Sequence, residues 1–117
     1  MFNVDDDPQF WTTVEVRVPV DDGHKIETFR ARFKVLDDAE LERLQTDQDL
    51  TAKDLLRLLT TDLGDIVDKD GKAIEFSAGL LDRMIGKQHV RIAMHTAYSK
   101  GVVKAAAGNS NGSVAPG

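Results

Sequence analysis

Three histidines, no cysteine and a surplus of carboxylates are the raw material for chemistry in this chain. Without cysteine there is no thiolate nucleophile, no thiolate-held metal and no disulfide framework. That composition fits a reducing compartment. His89 and His95 are six residues apart. On a helix this spacing separates them by about 240° of rotation, so they do not share a metal as an i, i+4 pair does. His24 falls in a turn. Asp5, Asp6 and Asp7 are adjacent, but consecutive side chains diverge, whereas a hard cation needs several converging oxygens. Asp68 and Asp70 open a segment like a calcium loop. The glycine then falls fourth instead of sixth, Lys72 takes the fifth position and Gly79 the twelfth, where a bidentate glutamate is required. A turn is the better reading. Gly79 and Gly86 flank a helix without the lysine or the spacing of a phosphate-binding loop. With no nucleophile–base pair, tuned carboxylate pair or metal set in view, the chain is expected not to be an enzyme and to carry no cofactor or metal.

Arg30, Arg32 and Lys34 are the one cationic cluster, alternating along a single strand face. Phe29 and Phe33 point to the other face, so no aromatic is expected among the cations and a base-stacking platform should be missing. A net charge of −5 argues against duplex nucleic acid or an anionic membrane as the main partner. Neither nucleic acid nor membrane is therefore expected as a partner. No run approaches the roughly 18 apolar residues of a membrane span. The opening MFNVDDDPQF lacks a basic region and an apolar core, so no signal peptide is expected and the chain should be cytoplasmic.

The elements that must position these residues turn on Phe29–Leu44. Phe29, Ala31, Phe33 and Val35 alternate with the cations, and at Leu36-Asp37 the apolar period changes from two to about 3.6. A strand becomes a helix there, with Asp37 as N-cap and Glu40 placed to complete a capping box. An earlier strand over Trp11–Val18 puts Thr12, Val14, Val16 and Val18 on one face and Thr13, Glu15 and Arg17 on the other. Pro19 marks its end. Asp21-Asp22-Gly23 joins it to a second strand over Lys25–Val35 as an antiparallel hairpin. Glu15 and Arg17 are expected opposite the cations, where ion pairs of a few tenths of a kcal/mol can form. A lone hairpin is marginal, so helices must cover it.

Four helices follow. The first covers Asp38–Leu44. The second is capped by Thr51 with Asp54 at the boxed position, carries Leu55, Leu56, Leu58, Leu59 and Leu63, and stops at Gly64. It should be the central core helix. Ala73–Phe76 can form a short strand. Ser77 caps a helix over Ala78–Ile85 that Gly86 ends. The last and longest helix runs Gln88–Ala106. Its Ala93, Ala97, Gly101 and Ala105 recur every four residues, a small-residue stripe that admits close approach. Two readings stand: packing on the domain's own core, or a face for self-association or a partner.

The fold class is therefore α+β: an N-terminal antiparallel hairpin packed against about four helices. A flexible acidic lead is expected over residues 1–9, a single domain over 10–107, and a flexible Gly/Ser/Asn-rich tail over 108–117. Protein–protein interaction is the function class that remains.

The order of elements carries a family resemblance. An early Trp11 with a Val-rich strand is followed by Phe-x-Ala-x-Phe-Lys, then by Leu36-Asp37-Asp38-Ala39-Glu40. A Leu-rich helix comes next, then an Asp-x-Asp-Gly-Lys turn before Phe76-Ser77 and a helix with Leu80-Leu81. A long final helix ends in Ala106-Ala107-Gly108-Asn109. This resembles the small tail assembly chaperones of long-tailed, siphovirus-type bacteriophages over roughly Phe10–Asn109. The resemblance implies a protein that binds the long helical tape measure protein, keeps it soluble, helps recruit tail tube protein and leaves before the tail is finished. It implies residence in the host cytoplasm, absence from the mature virion, a homo-oligomer, and in many relatives a longer frameshifted form. It carries no catalytic residues. The stripe Ala93, Ala97, Gly101, Ala105 is the expected partner or self-association face. The alternative is a small structural tail or head-to-tail completion protein, which would stay in the particle.

Overall fold

A computed structural model describes Met1, Phe2, Val4 and residues 8–114, with side chains as far as Lys104. In chain order the elements are strands β1 (Gln9–Val20) and β2 (Gly23–Lys34), helices α1 (Asp38–Gln45) and α2 (Ala52–Leu59), strand β3 (Thr60–Gly64), and helices α3 (Ala78–Ile85) and α4 (Gln88–Val114). The architecture is α+β, an N-terminal antiparallel hairpin with four helices, the last the longest. Asp5, Asp6 and Asp7 of the acidic lead, and residues 115–117 of the expected tail, lie outside the described residues. The backbone of α4 is helical to Val114, past the Ala106 end that the sequence suggests.

The hairpin closes on Asp21-Asp22, with Val20 opposite Gly23. Asp22 adopts a φ of 61°, a left-handed conformation that aspartate tolerates better than most side chains. Pro19 does not end β1. The strand is at the sheet edge, where a residue without an N–H is accommodated. The register sets Val14 opposite Phe29 and Thr12 opposite Ala31. Val14, Val16, Phe29, Ala31 and Phe33 are buried, as their alternation requires. Among the described residues the expected ion pairs across the other face are not formed. The two-residue turn slides β2 so that Thr28 faces Glu15 and Ile26 faces Arg17, leaving Arg30, Arg32 and Lys34 opposite Thr13, Trp11 and Gln9.

The Leu-rich helix is shorter than its apolar pattern suggests. It stops at Leu59, and Thr60–Gly64 pairs antiparallel with β2 to give a sheet ordered β1-β2-β3. Two adjacent β-branched threonines disfavour another helical turn, and the free edge of β2 supplies backbone partners for an extended segment. Gly64 is thus a strand residue and not a helix stop. The pairing shifts register between Arg32 and Phe33, a bulge that re-aims the end of β2. The short strand expected over Ala73–Phe76 reduces to one bridge, Val67 with Ala73.

Helix starts follow the capping residues. The Asp37 carboxylate accepts the Glu40 N–H at 2.8 Å, forming half of the expected box. Thr51 and Asp54 complete theirs: Thr51 Oγ1 accepts the Asp54 N–H and an Asp54 oxygen accepts the Thr51 N–H, both at 3.1 Å. Ser77 Oγ accepts the Leu80 N–H at 3.0 Å. The helices bury Leu56 and Leu59 of α2, Leu80, Leu81 and Ile85 of α3, and Val90, Ala93, Met94 and Ala97 of α4 against one face of the sheet. The opposite face carries only exposed or half-buried residues.

Candidate functional site

Two surfaces have the make-up of interaction sites, and both are built from β1. One is its seam with α4. Ala93 and Ala97 are buried. A Cβ placed on Gly101 would overlap the Phe10 ring and lie 2.8 Å from its Cζ. Phe10 stacks on Tyr98 with centroids 6.2 Å apart, and Phe33 meets Tyr98 edge-on at 5.5 Å, geometries favoured by the ring quadrupoles. Burial raises the Tyr98 hydroxyl pKa, partly offset by a hydrogen bond with the Leu36 backbone. The first three residues of the stripe therefore pack against the chain's own strand and rings. The Ala105 side chain lies outside the described residues.

Beside this seam runs a groove of about 570 Å³. Thr13, Glu15 and Arg17 form one wall; His89, Ile92, Thr96 and Lys100 of α4 form the other, over Ala93 and Ala97. Ile92 and, one turn beyond Lys100, Val103 are 58% and 65% exposed. The outward side of α4 thus carries apolar groups where solvent would favour polar ones.

The second surface is the uncovered face of the sheet. Arg30, Arg32 and Lys34 lie along β2, as the alternation predicts. The structure adds Trp11, which sits on this face beside them. Its position opposite Arg32 follows from the register, and the parity was legible: Trp11 is odd-numbered like Thr13, Glu15 and Arg17. The expectation that no aromatic joins the cations is thereby corrected. The indole reaches across β2 toward β3. A Cβ on Gly64 would be 3.6 Å from Trp11 Cζ3, so the ring covers a glycine that offers no side chain of its own. The Arg30 guanidinium carbon lies 5.8 Å from the ring centroid, within the range of a cation–π contact.

The residues weighed for catalysis stay apart. His24 is in the hairpin beside the turn, and His89 and His95 are half-buried at separate places on α4. Among the described residues no three histidine or acidic side chains are gathered as a metal would need. Asp68 serves the backbone of its own turn, accepting the Asp70 N–H at 2.8 Å and the Lys72 N–H at 3.0 Å. Gly71 follows with φ 80°. Arg57 of α2 ties Asp54 and Asp82 of α3 at 2.7 Å each, a surface link between helices and not a reactive cluster. Among the described residues no helix is long and apolar enough to cross a membrane.

The fold and these surfaces define a small α+β domain with a grooved seam and a bare cationic sheet face. In comparisons with protein-family models, curated proteins and solved structures, nothing matches the chain.

Proposed function

We propose that this chain is a tail assembly chaperone of a long-tailed bacteriophage. It binds the tape measure protein during tail morphogenesis in the host cytoplasm, helps recruit tail tube protein, works as a homo-oligomer and is left out of the mature virion. The observation that carries this reading is the ordered series of sequence features over Phe10–Asn109, from Trp11 through Phe29–Lys34 and Leu36–Glu40 to the ending Ala106-Ala107-Gly108-Asn109. The α4 side is consistent with the role. A helical client needs a groove able to take a helix, and the one between β1 and α4 has small residues at its base and Ile92 on its wall.

The test is a pull-down of the tagged protein from cells producing a complete tail operon, with the eluate identified by mass spectrometry. A long helical protein of tape-measure type is the expected companion. Recovery of this protein alone, with the operon fully expressed, would remove the proposal. Purified virions provide the second arm. The chaperone is absent from them; finding the chain there at stoichiometric level would assign it to the structural tail or head-to-tail completion proteins instead.

A further inference from the structure

We infer that the bare sheet face, with Arg30, Arg32 and Lys34 flanked by Trp11, is a docking surface for an acidic segment of a protein partner. The inference rests on the chaperone reading for the partner's nature, a helical client.

The charge is out of keeping with its surroundings. The chain is acidic overall, at −5, yet Arg30, Arg32 and Lys34 gather three cations at alternate positions of one strand. Among the described residues none of the three β2 cations has an ion-pair partner within reach. Asp62 stands opposite Arg32, yet its carboxylate accepts the Leu63 N–H at 2.8 Å. Arg30 and Arg32 are exposed and Lys34 is half-buried, α4 lies to the side against Thr13, Glu15 and Arg17, and Trp11 is 42% exposed. Tryptophan and arginine side by side are the residue types that dominate binding energy at protein interfaces. Gly64 and Arg30 hold the indole in place before any partner arrives, so little side-chain freedom is lost on docking.

Geometry indicates what fits. Alternate residues on a strand are about 7 Å apart. Carboxylates at i, i+4 and i+8 of a helix recur about every 6 Å along its axis, so an acidic helix face lying along β2 meets the three cations nearly in step. A single-stranded nucleic acid is the poorer fit. Successive bases need successive stacking partners, and among the described residues this face offers one ring.

Trp11 is the only tryptophan in the chain, so its emission reports on this face alone. The probes are an alanine-rich helical peptide with glutamates at i, i+4 and i+8, its glutamine counterpart, and oligothymidylate. The glutamate peptide is expected to shift Trp11 emission saturably, the glutamine peptide not to, and added salt to weaken the effect. The double variant Arg30→Gln, Arg32→Gln should bind roughly tenfold or more weakly while keeping its circular dichroism and melting temperature. Equal response to both peptides, or a response to oligothymidylate alone, overturns the inference. The operon pull-down, repeated with the double variant, separates it from the reading it rests on. If wild type and variant capture the tape-measure-type protein equally, this face is not the docking surface and the chaperone assignment stands. If the glutamate peptide binds but no such client is captured, the surface is supported and the chaperone assignment falls.

Discussion

Gly101 of α4 lies directly against the ring of Phe10 in β1, so close that a methyl group on Gly101 would occupy the ring's place. The longest helix is thereby seated on the edge strand through an absent side chain. By helix propensity alone, Gly101→Ala would stabilise α4 by about 1 kcal/mol. Overlap with Phe10 reverses the sign, and a net loss of about 1–3 kcal/mol is expected. Chemical denaturation measures it. In a Phe10→Ala background the same change should cost much less, the signature of two residues sharing one space. A Gly101→Ala variant more stable than wild type would show that α4 does not rest on Phe10.

Leu56 and Leu58 make a contrast within one short helix. Leu56 is fully buried, and Leu58 is 43% exposed. Leu56→Ala is expected to cost about 2–5 kcal/mol, and Leu58→Ala less than about 0.5 kcal/mol. Urea unfolding of the two variants side by side checks the helix orientation. Equal losses would mean α2 is rotated from the orientation described.

The cap of α2 makes stability depend on acid. Hydrogen bonds with Thr51 are the largest influence on Asp54 and hold its pKa below the ordinary 3.8, with Arg57 adding to the effect. A lowered folded pKa means that the stabilisation is fully present above about 3.8 and is lost as pH falls through the lower folded value. Asp54→Asn should therefore be less stable than wild type at neutral pH, with the gap closing below that value. Melting curves from neutral pH down to the acid limit measure it. A gap that stays constant with pH would remove Asp54 from the cap.

The seat of α4 on the sheet is at Gly101, against Phe10 of β1, well before Gly108. Truncation after Gly108 is accordingly expected to leave the melting temperature unchanged. A clear drop in calorimetry would show that the end of α4 contributes to the packed domain.

Much of this fold was legible because it rests on local rules. Val14, Val16, Phe29, Ala31 and Phe33 alternate, and they are buried together. Asp37, Thr51 and Ser77 were readable as caps because a short polar side chain before an apolar run has few better uses. The small-residue stripe was readable as a close-approach face, but not its occupant. Phe10, which fills it, is some ninety residues away in sequence, and only chain folding brings the two together.

The sequence by itself determined the hairpin and its buried face, the presence of four helices and the helix starts, since each depends on a residue's nearest neighbours along the chain. Tertiary structure decided the rest. Thr60–Gly64 became a strand because the edge of β2 had unpaired backbone groups to satisfy, outweighing the leucine periodicity that would have carried α2 further. Trp11 came to stand opposite Arg32 because a two-residue turn set the register between strands. Which side chains meet across a sheet is a property of pairing, and pairing is fixed by contacts that no single stretch of sequence contains.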